Sequence, residues 1–261
     1  HRQHGPDGRI EVKKINALLE DMEQTLAQAL LDPYELKRRQ KQKQQQDKQN
    51  AKQAKRVAKQ VVRDASQKNA AIDREAGQSE ASKAERRRIF VLDFEGDLRA
   101  SEVNNLRHTV SAILTVADCR DEVVLRLESS GGMVHAYGLA SSQLLRIKSK
   151  QIPLTICVDK VAASGGYMMA CLADRLVSAP FAIIGSIGVL VQLPNFHRVL
   201  KKNEIDYEII SAGEFKRTLT QFGEITQKGR DKVQEEVETM HDIFKAWIED
   251  HRPSVDIDKI A

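Results

Sequence analysis

The sequence has 261 residues, 41% hydrophobic and 30% charged, with a formal net charge of +4. That length suffices for one sizeable core plus an appendage. Its three cysteines, Cys119, Cys157 and Cys171, show neither a pairing pattern nor metal-ligand spacing, which excludes a disulfide framework and a cysteine metal site. The charge is uneven. From Glu35 to Arg63 eleven Lys and Arg stand against two acids, which leaves the rest of the chain at about −5.

The chain begins at His1 with a polar, glycine-containing tail, and no signal peptide or membrane-spanning run occurs in it. Ile10 to Leu31 has helical periodicity, with Ile15, Leu18, Leu19, Met22, Leu26 and Leu30 on one stripe. Asp32-Pro33 stops that helix. The stripe packs either on its own domain or on a partner. Glu11, Glu20, Asp21 and Glu23 on the other face argue against an anionic membrane surface. Residues 1–34 therefore form a tail and an amphipathic helix.

Residues 35–87 form a basic linker, helical or disordered, because Gln, Lys, Ala and Arg dominate and the apolar stripe almost vanishes. No aromatic residue between Leu36 and Ile89 offers a stacking platform for bases. A charged spacer near anionic headgroups is preferred over nucleic-acid binding.

Residues 88–261 alternate between strand and helix patterns. Ile89–Phe94 reads as a buried strand, Ser101–Ala117 as a helix with Ser101 as N-cap, and Val123–Leu127 as a strand. A glycine turn at Ser129–Gly132 precedes a helix over Val134–Lys148. A strand at Leu154–Val158 leads to a helix starting at Ser164. Further elements are a strand at Arg175–Ser178, a glycine-punctuated segment at Ile183–Val189, a helix at Leu193–Lys202 and a strand at Tyr207–Ile210. After a loop at Gly213–Thr218 comes a long amphipathic helix, Thr226–His251. The chain ends at Asp258–Ala261, at the start of a new helix, and reads as part of a longer protein. This alternation implies an α/β domain with a mainly parallel sheet, C-terminally incomplete.

Ser164 stands at a strand-to-helix turn and is followed by Gly165 and Gly166. It is either a helix N-cap or a nucleophile exposed at the turn. Gly131 and Gly132, at the end of the preceding strand, are either an ordinary turn or a source of backbone N–H groups for an oxyanion. Ser164 needs a base. His135 follows the glycine turn and His197 lies on a later helix, so either could serve in a Ser-His arrangement. Lys216, beside Phe215, is either a solvated surface lysine or a neutral base in a Ser-Lys dyad.

Four segments together resemble the signal peptide peptidase A family of serine proteases. They are Glu128-Ser-Ser-Gly-Gly-Met-Val134, Lys160-Val-Ala-Ala-Ser-Gly-Gly-Tyr-Met-Met-Ala170, Gly185-Ser-Ile-Gly-Val189 and Gly213-Glu-Phe-Lys-Arg-Thr218. The resemblance, strongest to an inner-membrane bacterial branch, spans Arg88 to Arg252. It implies a ClpP/crotonase-like α/β fold, Ser164 as nucleophile and Lys216 as general base. It also implies Gly132 and Gly165 as oxyanion donors and Ser186 as a support for the lysine. Ser130 stands where the family usually has proline. No cofactor or metal is implied. The implied partners are peptide substrates such as signal-peptide remnants, further copies in a ring, and the bacterial inner membrane through an N-terminal anchor outside this sequence. The catalytic domain would then be periplasmic. The alternatives are a crotonase-like acyl-CoA enzyme, which needs a carboxylate in the pocket, and a non-catalytic scaffold.

Overall fold

A computed structural model describes residues 11–68, 87–210, 212 and 219–257. The chain divides into two compact units, residues 1–86 and 87–261.

The first unit is helical. Helix α1 (Ile15–Leu30) and helix α2 (Pro33–Lys68) meet at Asp32-Pro33. The residues that stop α1 also start α2. Asp32 Oδ1 accepts the backbone N–H groups of Tyr34 (2.8 Å) and Glu35 (2.9 Å), and Pro33 needs no donor partner at the first helical position. Glu23 pairs with Arg39 and Glu20 with Lys43 across the two helices. Two of the acids that set the polar face of α1 thus bind α2. Leu18, Leu19, Met22 and Leu26 are exposed. No described helix is long and apolar enough to cross a membrane.

The second unit is α/β, with the ClpP/crotonase-like arrangement expected. Its elements are β1 (Ile89–Gly96), α3 (Val103–Val116), β2 (Glu122–Ser129), α4 (Val134–Ser149), β3 (Leu154–Val158) and β4 (Val161–Ala163). They continue as α5 (Gly165–Ala170), β5 (Arg175–Ser178), β6 (Ile183–Gly185), α6 (His197–Lys202) and α7 (Gln227–His251). Every strand pair is parallel. The order is β5-β3-β2-β4-β6, and β1 also pairs with β2. β2 is the trunk. It takes β1 along its whole length, β3 over Val123–Arg126, and β4 only at Ser129. The sheet therefore curls where β3 gives way to β4.

One face of β1 and β2 is buried, through Leu92, Phe94, Val123, Leu125 and Leu127. Leu106, Val110 and Ile113 of α3 and Tyr137, Ala140, Leu144 and Ile147 of α4 complete that core. Each fully buried aliphatic side chain contributes about 2 kcal/mol. The other face is polar. Asp93 and Arg126 are cross-strand partners and form a two-bond ion pair (2.5 and 2.7 Å), and Lys160 pairs with Glu128. β1 is thus buried on one face only, with Val91 exposed, because α3 and α4 cover one side.

Four expectations change. Helix α3 starts at Val103, not Ser101, because the Asp97 carboxylate captures the Ser101 N–H and hydroxyl (2.8 Å each). β4 intervenes where only a loop was expected. Helix α6 is shorter than Leu193–Lys202: Pro194 precedes Asn195, whose side-chain amide bridges to Thr220 and Gly223 carbonyls (3.0 and 2.9 Å). Residues 207–210 form no strand: Tyr207 packs on Phe222 (5.6 Å), and no described strand pairs with them. The loop residues 213–218 and the helix expected at Asp258 lie outside the described residues.

Asp121 is 2% exposed and closes the α3–β2 junction. The Arg88 side chain binds both its oxygens (3.1 and 2.7 Å), and the N–H groups of Asp118 and Arg88 also point at it. Arg88 foremost, then these N–H groups, hold its carboxyl at about 2 rather than 3.8, against the effect of burial. The folded-state value is the lower one, so this group stabilises the fold above about pH 4 and the benefit fades as pH falls towards 2. Asp121→Asn should remove about 2 kcal/mol at neutral pH and flatten the acid limb between pH 4 and 2. Urea unfolding midpoints across pH 2–7 measure both effects.

Candidate active site

Ser164 lies where the chain leaves β4 and enters α5. β4 is held between Ser129 of β2 and all three residues of β6. Its last residue, Ala163, pairs with Gly185, and the Ser164 N–H donates to the Gly185 carbonyl (2.8 Å). The Ser164 carbonyl accepts from Met168 N–H (3.0 Å), which starts the helix. Between these two bonds the backbone turns through φ 51°, ψ −119°. A non-glycine residue in this region costs on the order of 1–3 kcal/mol and persists only when its surroundings dictate it. Ser164 occupies the N-cap position, yet its side chain makes no capping bond. The capping reading therefore finds no hydrogen bond here. Ser164 is half-buried, and its hydroxyl has no partner among the described residues.

The glycine turn packs directly on this residue. Gly131 has φ +90°, and a Cβ there would lie 2.7 Å from both Gly165 N and Ser164 Cβ. At Gly132 a Cβ would overlap the Leu98 carbonyl, which accepts the Met133 N–H (2.8 Å). At Gly165 it would lie 2.5 Å from Tyr137 Cγ. Three glycines are thus required by close packing. Among the described residues, neither the Gly132 nor the Gly165 N–H has a protein acceptor. A hydroxyl and two free N–H groups on one pocket are the components that stabilising an oxyanion at a tetrahedral carbon requires.

Ser164, Gly132 and Gly165 border one pocket of about 190 Å³. Val134, Met168, Met240, Ile243, Phe244 and Trp247 wall it. Helix α7 is fixed against α5 by the Trp247 indole N–H, which donates to the Met168 carbonyl (3.1 Å), and by burial of Phe244 and Ile248. Sequence periodicity found the α7 stripe but gave no sign that it walls the site. No acid or histidine among the described residues lines the pocket. His135 is exposed, and the His197 backbone N–H donates to the Asn195 side chain. Lys160, near Ser164 in sequence, is held charged by Glu128, whose carboxylate raises its pKa. Among the described residues, no group of three or more His, Cys, Asp or Glu side chains could hold a metal ion.

Of the residues singled out from sequence, Ser164, Gly132 and Gly165 come together here. Ser186 is exposed, has φ 53°, and directly follows the carbonyl that holds the Ser164 N–H. Lys216 lies outside the described residues. The chain just beyond its loop is anchored at the entry to α6, where Phe196 N–H donates to Gln221 (2.6 Å) and the Phe196 and Phe222 rings stack at 6.0 Å.

The family described as peptidase family S49 N-terminal matches residues 1–144, and peptidase family S49 matches residues 146–261. Probable protease SohB of Haemophilus influenzae is 61% identical over 173 residues, covering 66% of this chain and 49% of that protein. Probable protease SohB of Buchnera aphidicola from Acyrthosiphon pisum is 58% identical over 179 residues, 69% of this chain and 53% of that protein. Protease 4 of Haemophilus influenzae is 28% identical over 182 residues, 67% of this chain and 29% of that protein. The chain spans about half the length of the SohB relatives.

Two glycines of the site should respond to alanine with opposite signs. Gly131→Ala should destabilise by about 2 kcal/mol or more, because positive φ and the 2.7 Å contacts both oppose a side chain. Gly138, within α4, faces open space and should gain about 0.5–1 kcal/mol as alanine. Thermal unfolding of both variants checks the pair.

Proposed function

Because the chain belongs to peptidase family S49, we propose that it is a serine endopeptidase with a Ser164–Lys216 dyad. The observation that carries the reading is the uncapped Ser164 hydroxyl in a strained turn beside two free backbone N–H groups. Neutral Lys216 accepts the Ser164 proton as the oxygen attacks a peptide carbonyl. The Gly132 and Gly165 N–H groups bind the resulting oxyanion. Lys216 returns the proton to the leaving amine as the C–N bond breaks. It then takes a proton from the water that attacks the acyl-enzyme, and Ser164 regains its own. Ser186 orients the lysine amine. A histidine base finds no support, since none of the described histidines borders the pocket. A crotonase-like reaction gains no support either, since no acid among the described residues borders the pocket.

The substrates in this reading are membrane-derived peptides such as signal-peptide remnants, because the pocket wall is methionine, aromatic and aliphatic side chains. The protein works as a homo-oligomeric ring at the bacterial inner membrane, with its catalytic domain in the periplasm and an N-terminal anchor outside this sequence.

In the full-length protein, Ser164→Ala and Lys216→Ala should each lower hydrolysis of an apolar peptide by at least about a thousandfold. Wild-type kcat/KM should rise with pH to a plateau, since the base must be neutral. Gly138→Leu, which fills the pocket, should shift preference towards smaller side chains. Activity that survives both dyad substitutions would move the chemistry elsewhere.

A further inference from the structure

Two oxyanion donors work only if their separation is held constant, and these two come from different elements. Gly165 opens α5, and Gly132 lies in the turn between β2 and α4. One side chain reaches the support of both. Tyr137 of α4 is fully buried, with its ring edge-on to Phe94 at 6.4 Å and 74°. Its ring lies beneath Gly165, where a Cβ would meet Cγ at 2.5 Å and Cδ2 at 2.7 Å. Its hydroxyl lies 2.6 Å from Ser129 Oγ, which accepts the Gly131 N–H at 3.0 Å.

We infer that Tyr137, acting through Ser129, is a positioning residue that sets the spacing of the Gly132 and Gly165 N–H groups. The inference rests on the reading of Ser164 as the nucleophile.

The hydrogen bonds run in one consistent direction. The Tyr137 O–H donates to the Asp97 carbonyl (2.8 Å), so the Ser129 O–H donates to the Tyr137 oxygen. The Ser129 oxygen is then free to accept from Gly131. The chain Gly131, Ser129, Tyr137, Asp97 therefore ends on backbone at both ends, and each hydroxyl both donates and accepts. Ser129 is 2% exposed, so no water competes at the serine. Burial pushes the Tyr137 pKa up, which keeps its donor proton in place. The space is reserved for the pair: a Cβ on Gly96 would overlap the Tyr137 hydroxyl and lie 2.5 Å from Ser129 Oγ. Nearby, Gly132 is pressed against Leu98, the residue after Asp97, and Met133 binds the Leu98 carbonyl. The exit of β1 thus holds the turn from one side while Tyr137 holds it from the other.

Tyr137→Phe keeps the ring under Gly165 and removes only the hydroxyl. Ser129 is then left with the distant Gly96 carbonyl (3.4 Å) as its acceptor. Ser129→Ala removes the same link from the other side. The test uses the full-length protein, an apolar tetrapeptide substrate, and a boronate of the same peptide, whose serine adduct places an oxygen between the two donors. For both variants kcat should fall about tenfold or more, and boronate affinity should weaken by a similar factor. KM should stay within twofold, as should affinity for the uncleaved peptide measured on a Ser164→Ala background. If kcat and boronate affinity stay within twofold of wild type, the inference is wrong. It is also wrong if substrate affinity and boronate affinity fall together with melting temperature, which is the pattern of a merely structural tyrosine. Hydrolysis that persists undiminished in Ser164→Ala alone would instead overturn the underlying reading, and the inference with it.

Discussion

The site depends on one backbone hydrogen bond, from the Ser164 N–H to the Gly185 carbonyl. It is the last rung between β4 and β6, and it fixes the chain just where the conformation becomes unfavourable for a residue with a side chain. The strain is tolerable because both ends of the turn are pinned, one by β6 and the other by the first bond of α5. The result is a serine whose hydroxyl is not needed by its own helix. A serine in ordinary extended geometry at that position would cap α5, and its hydroxyl would be occupied.

The second constraint is space. Gly131 is pressed on the start of α5, Gly132 on Leu98 and Gly165 on the Tyr137 ring, so that none of the three can carry a Cβ without displacing a neighbour. The missing side chains leave backbone N–H groups accessible beside the Ser164 hydroxyl. The Gly131 contact sits where the sheet curls, as β2 hands its pairing from β3 to β4 near Ser129. Helix α7 then supplies what backbone cannot, an apolar wall beside the hydroxyl. Fold and site are thus set by the same contacts.

The strand-helix alternation was legible because the buried faces of β2 and β3 are aliphatic and their boundaries are marked by glycine and charge. Ser164, Gly131 and Gly132 were legible as turn residues, but the cap and the exposed nucleophile predict the same residue types. The φ of Ser164 and its missing capping bond, neither of them written in the sequence, are what weaken the capping reading. β4 escaped notice because three residues carry no periodicity. The strand expected at 207–210 had the right composition but no partner among the described strands, since pairing is not encoded in a single strand. Ser101 looked like an N-cap until Asp97 claimed it. Tyr137 is a core residue of α4, and nothing in the sequence singles it out. Its link to Ser129 spans eight residues and depends on the helix packing back against its own leading turn.

The central claim is that the strained serine is the nucleophile. The direct measurement is to treat the full-length protein with an alkyl fluorophosphonate and locate the adduct by peptide mass spectrometry. One phosphonate on Ser164, abolished by prior unfolding, is the predicted result. An adduct on another serine such as Ser186, or none on the folded protein, would contradict it.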